Sequence, residues 1–301
     1  MKPTRCLPFL APIFYALAAV SASAATYQWD VNATTAGLGG VGTWNTTNAF
    51  WDDMSAGANT GTDATIAVTF TNLDTAIFAG TSGIVTLGVP TTVNGLQFNT
   101  NGYSIATTGT NTLTLAGAAP TVTLASGANA TLNGNIAGTN GLTVAGLARL
   151  TLSVASNTFT GGVTVNNGAT LQVGGNSGAF NFIVDSNDVA VNGTLQLSRA
   201  TGVNESINAL TGSGSVVTNN TSAVGVTNTL TVGANNGSGT FSGVLANAGD
   251  DFLAFTKTGT GTQTLTGANT YTGVTTINGG TLALSGGNNR LGTAGTLSFT
   301  G

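Results

Sequence analysis

The chain has 301 residues, only 5% of them charged (10 acidic, 6 basic), with 45 glycines, one cysteine and no histidine. The missing imidazole removes histidine bases and histidine metal ligands, and six scattered cations are too few for a nucleic-acid surface. Abundant Gly, Thr and Asn argue against a helical bundle, and 41% hydrophobic residues with a net charge of -4 argue against disorder driven by charge.

The first segment reads as a leader. Lys2 and Arg5 precede an apolar run, Leu7 to Val20, that holds Pro8 and Pro12 and ends near Ala22-Ser23-Ala24. This is the pattern of a secretory signal peptide cleaved before Ala25. The run is too short, and too interrupted by proline, to span a bilayer. Cys6 lies before the run, so it is not placed as a lipoprotein cysteine. Removing 24 of the 301 residues leaves 277, without cysteine and therefore without disulfides. The expected organisation is a leader over 1–24, a cap region over 25–63 and a repetitive segment over 64–301.

From residue 64 onward, short apolar runs alternate with Gly, Asn, Thr and Ser. Ile66–Phe70, Ile84–Leu87, Leu113–Leu115, Leu150–Leu152, Thr170–Val173, Leu195–Leu197 and Leu282–Leu284 are examples. Apolar residues fall at i and i+2, the strand period with one face buried. Thr, Val and Ile suit that pleated surface, and Gly and Asn supply corners of positive φ. An internal repeat is also present. Asn157-Thr158-Phe159-Thr160-Gly161, running on to Gly168, matches Asn269-Thr270-Tyr271-Thr272-Gly273, running on to Gly280, 112 residues later. Each copy is followed by a strand pattern.

Strands this short bury little alone and gain a core by stacking coil on coil. The fold expected is all-β: a right-handed parallel β-helix, or solenoid, with an aromatic-rich N-terminal cap. At about 22 residues per coil it would hold about 12 coils, with stacked Asn side chains forming amide ladders inside the corners. A β-sandwich is the competing architecture.

The stretch Leu265 to Gly273, followed by Thr275 to Leu282, with Phe241–Leu245 and Thr256–Gly261 ahead of it, resembles the autotransporter-associated β-strand repeat, also called the passenger-associated transport repeat. The similarity extends over repeat units near 122–173 and 207–284. In the first unit, Ala145 to Arg149 replaces the usual Lys-Thr-Gly-x-Gly stretch. Trp29-Asp30, Gly42-Thr43-Trp44, Trp51, Asp74–Phe78 and Gly95–Phe98 resemble the leader of such proteins. The resemblance implies an exported surface or extracellular protein of adhesin or stalk type, associated with the outer membrane and not an enzyme. It implies no cofactor. It implies partners consisting of a surface ligand, such as a carbohydrate, and an outer-membrane translocation or anchoring element. Neither a translocator barrel nor an anchor is evident in this sequence, so the chain is expected to be the N-terminal part of a longer protein or one truncated at its C-terminus. End-to-end self-association in an extracellular matrix is a further reading.

Four groups of residues bear on function. Trp29, Trp44 and Trp51, with Phe50, would either stack on sugars or close the apolar end of a rod; the cap reading is adopted. Asp185, Asp188 and Glu205 would form a carboxylate set for polysaccharide cleavage or Ca²⁺, or lie as solvated loop acids, with Arg199 and Glu205 as a surface ion pair. Asp250-Asp251 would offer Ca²⁺ a loop. Lys257 with Gly259-Thr260-Gly261 lacks the residue order of a phosphate loop and reads as a glycine corner. Asn-x-Ser/Thr triplets at Asn32, Asn45, Asn192 and Asn204 follow from composition.

Overall fold

The computed structural model describes residues 25–31, 38–54, 69–70, 73–174, 181–198, 201–219, 225–292 and 295–300. The leader, Arg199 and Ile66–Val68 of one expected strand lie outside the described residues; Thr69 and Phe70 are described but are not in a strand. Among the described residues the elements are strands of two to six residues, with no α-helix. Val, Thr, Ile and Leu alternate along them, and the burial alternates in step, as in Thr170–Val173 and Thr194–Leu197.

These strands wind into a parallel β-solenoid of about ten turns. Each turn visits three faces. The first face runs from Thr26–Trp29 through Thr75–Phe78, Gly95–Phe98 and Leu142–Gly146 to Leu210–Thr211. A bridge between Gly212 and Phe241 carries it on to Gly239–Phe241, Thr262–Leu265 and Thr281–Leu284. The second face runs from Gly42–Trp44 through Arg149–Leu152 and Thr170–Val173 to Val244–Ala246. The third face begins as Thr91–Val93, Thr112–Leu115 and Asn135–Ala137, and resumes from Asn204–Ile207 to Leu297–Phe299. Strand pairing among the described residues is parallel except where Thr26–Trp29 meets Trp51–Asp53 antiparallel.

Register places like on like. Leu150, Leu171, Leu195, Val216 and Leu245 follow one another on the second face, all fully buried. Leu96, Val122, Val144, Val165 and Val191 form the matching column on the first face. These columns are one continuous core rather than a set of local ones. The turns are fewer than the 12 expected because several are longer than 22 residues. Register steps from Thr170 to Thr194 and from Asn204 to Thr229 span 24 and 25 residues, and the early chain spends residues on the antiparallel Trp51–Asp53 strand.

The alternation gives a direct test. Leu171→Ala should cost about 2–5 kcal/mol of stability, read as a lowered urea midpoint. Gln172→Ala, on the outer side of the same strand, should change it by less than about 0.5 kcal/mol.

Candidate functional site

The repeat marks the places where the backbone ladder is interrupted. On the third face, no strand is formed among the described residues between Asn135–Ala137 and Asn204–Ile207, although two turns pass there. Side chains bridge this gap. Asn157, almost fully buried, accepts from the Ile136 N–H of the turn before (3.0 Å) and donates to the Phe182 carbonyl of the turn after (2.8 Å) and to Val154 O (3.0 Å). Glu205 then accepts from Phe182 N–H (3.2 Å) and Ile183 N–H (2.7 Å). A carboxamide suits the first position because it holds a donor and an acceptor on one planar group. A carboxylate suits the second because both amides point at it.

The second copy repeats this chemistry on another face. Asn269 accepts from Leu245 N–H (2.8 Å), on the last strand of the second face, and donates to Arg290 O (2.6 Å) one turn on. Beyond Asn157 the third face is passed at Phe182, Glu205, Leu230 and Phe255, the last three in register, before Asn269 arrives on the second face. The two copies are therefore displaced by one face around the axis. Neither Asn stacks on another Asn. The expected inner amide ladder is replaced by side chain-to-backbone bridges, because each Asn spans a missing strand pair.

Phe159 and Tyr271 follow their Asn by two residues and are fully buried. The Tyr271 hydroxyl lies 2.7 Å from Thr275 Oγ1. The equivalent pair in the first copy is Phe159 and Val163, both buried and apolar. A hydroxyl pair in one copy thus stands for an apolar pair in the other. Thr158 and Thr270 are exposed. Gly161 has φ +96°, and a Cβ on it would lie 2.4 Å from Thr139 O; a Cβ on Gly273 would lie 2.3 Å from Leu253 O. Both need glycine for close approach to the neighbouring turn. Gly168 and Gly280 take positive φ in the following corner.

Trp29, Trp44 and Trp51 lie together, 0%, 2% and 0% exposed. Trp51 sits 5.0 Å from Trp29, 4.8 Å from Trp44 and 4.7 Å from Phe70, between ring centres. Phe50 packs edge-on to Trp29, whose indole N–H donates to Gly40 O at 2.9 Å. The three indole rings, so buried, offer no open face for a sugar.

The acidic residues do not converge. Asp185 and Asp188 are exposed, and Asp188 accepts from the Asn208 carboxamide at 2.7 Å. Glu205, whose expected partner Arg199 lies outside the described residues, is not a solvated loop acid. It is fully buried, at a column position that Leu230 and Phe255 fill on the next turns. Burial pushes its pKa well above the ordinary carboxylate range, against the two amide bonds, with a smaller contribution from Asp185. Asp250 is exposed, but Asp251 is buried and accepts from Val226 N–H at 3.2 Å. Lys257 is buried as well. It continues the column Ile207, Val232 and folds its ammonium onto the carbonyls of Thr258, Gly259 (3.4 Å) and Gly279 (3.5 Å). Desolvation lowers its pKa. The Gly259–Gly261 corner is thus occupied by the chain's own cation. Among the described residues, no three His, Cys, Asp or Glu side chains gather to hold a metal. Sequence reasoning missed these inward charges. Glu205 does fall in phase with the buried Val203 and Ile207, the one signal that could have shown its direction.

The geometry is that of a solenoid whose interrupted ladders are spliced by buried polar side chains. Residues 142–173 and 255–289 match the family model described as the passenger-associated-transport-repeat. The chain is also 47% identical over 83 residues, 28% of its length, to the adhesin BmaC autotransporter of Brucella suis biovar 1 (strain 1330). It spans about 2% of that protein's length. No solved structure matches it significantly.

Two outcomes are expected. Tyr271→Phe should destabilise by about 1 kcal/mol, because it leaves the buried Thr275 hydroxyl without its partner, and Thr275→Val by less, because the Tyr271 hydroxyl keeps its bond to the Gly292 backbone; the double variant should cost less than Tyr271→Phe alone. Urea unfolding of all four chains checks this. For Glu205, the folded state binds a proton more tightly than the unfolded chain. Stability is therefore greater below the ordinary carboxylate range and falls as pH rises toward the raised folded value. A Glu205→Gln chain should lose that slope in thermal scans across pH.

Proposed function

We propose that the chain is an exported, non-enzymatic surface segment of passenger type, serving as a rigid adhesin-like stalk. The observation that carries this reading is the parallel stack of turns, spliced at two different faces by the two segments that match the passenger-associated-transport-repeat model. A stack of this kind is stiff, because each turn is hydrogen-bonded to the turns on both sides. The similarity to part of an adhesin autotransporter supports the same role. Residues 1–24 act as a cleaved signal peptide in this reading. Folding outside the membrane opposes backsliding during export, since each added turn buries apolar surface against the last. The buried Glu205 and Asp251 hold backbone amides, which favours a structural role over polysaccharide cleavage.

The test is made on intact cells of the source bacterium. Antibody against the folded chain should label unbroken cells, external protease should remove the label, and N-terminal sequencing of the mature protein should begin at Ala25. Label seen only after lysis would overturn the surface reading.

A further inference from the structure

Arg149 stands apart from the other described cations. Lys257 is buried, and Arg290 donates to the carbonyls of Ser285 and Gly286 in its own loop. Arg149 is half-exposed at the start of a second-face strand. Its backbone N–H donates to Asn129 Oδ1 at 2.9 Å, while its guanidinium makes no hydrogen bond or ion pair with the described residues. The same register position on the next three turns holds Thr170, Thr194 and Ser215. A single cation has thus been placed in a row of hydroxyl side chains.

The ground in front of it is shaped. Arg149 lines a shallow cavity of about 320 Å³ with Asn101, Ser104, Asn129, Thr131 and Thr151. Ser104, Thr131 and Thr151 are in register on three successive strands and half-exposed. Their hydroxyls form a short row, spaced by the strand separation of about 4.8 Å. The Asn129 carboxamide is held by the turn above it. The volume lies at the small end of ligand sites and suits a single ring.

We propose that this shelf binds a sugar acid, a monosaccharide unit bearing one carboxylate. Arg149 takes the carboxylate as a two-pronged donor, and the row Ser104, Thr131 and Thr151 takes ring hydroxyls. The net charge of -4 repels densely sulfated polymers and leaves isolated carboxylates as the better anions. The inference rests on the surface reading only for its biological setting, because the shelf is a property of the folded chain.

The experiment titrates the full chain with methyl β-glucuronide and with methyl β-glucoside, followed by calorimetry and amide NMR. The glucuronide should bind at least about tenfold more tightly than the glucoside, and Arg149→Gln should remove that advantage, with Arg149→Lys keeping part of it. The fold should survive Arg149→Gln, since the backbone and not the guanidinium joins the ladder; an unchanged urea midpoint checks this. Thr131→Val is the second variant and should weaken the glucuronide about threefold through the lost hydroxyl. Equal binding of the two sugars, no binding of either, or full glucuronide affinity in Arg149→Gln would overturn the site. Any of these with label still present on intact cells would leave the surface reading standing. Glucuronide binding by a chain never labelled on intact cells would support the site and overturn the surface reading.

Discussion

Every buried backbone amide and carbonyl must find a partner, and in this molecule that demand sets the design. A parallel ladder meets it wherever strands lie above one another. Where a turn passes without forming a strand, the demand persists while the strand is missing. Asn157 and Asn269 stand at those places, and Glu205, on the strand that resumes the third face, reaches back to Phe182 and Ile183; all three bond the backbone of neighbouring turns directly. The apolar columns supply the driving force for stacking. The polar splices fix which turn meets which, since an unmatched buried amide costs more than a slightly imperfect apolar contact.

This also explains why a chain so poor in charge carries charge inside. Glu205 and Lys257 occupy inward positions that neighbouring turns fill with Leu, Val, Ile or Phe. They do not pair with each other; each is solvated by backbone, the carboxylate by two N–H groups and the ammonium by carbonyls. The interior thus replaces water with peptide dipoles around both side chains. The shifted pKa values, raised for the acid and lowered for the lysine by burial, are the cost of that exchange.

The strand pattern was legible because period-2 alternation is a local signal. Thr170–Val173 and Thr194–Leu197 need no knowledge of their neighbours to show which side is buried. The repeat was legible for the same reason, since Asn-Thr-aromatic-Thr-Gly is contiguous in both copies. What the spacing hid was the partner of each polar residue. Asn157 reaches residues 21 positions back and 25 forward, distances fixed by loop lengths that composition does not encode. Glu205 looked like a loop acid because acids usually face water, and its direction follows from strand phase alone. Arg149 was noted only as a departure from the repeat pattern, since its setting among Ser104, Thr131 and Thr151 depends on register across three turns.

The displacement of the second repeat by one face carries a consequence for any longer array. A module that always landed on the same side would give the shaft a seam, with one line of weakness and one direction of bending. Here the second module lands one face round from the first, as the next tread does in a spiral stair. The two irregularities then fall on different sides of the shaft rather than along one line.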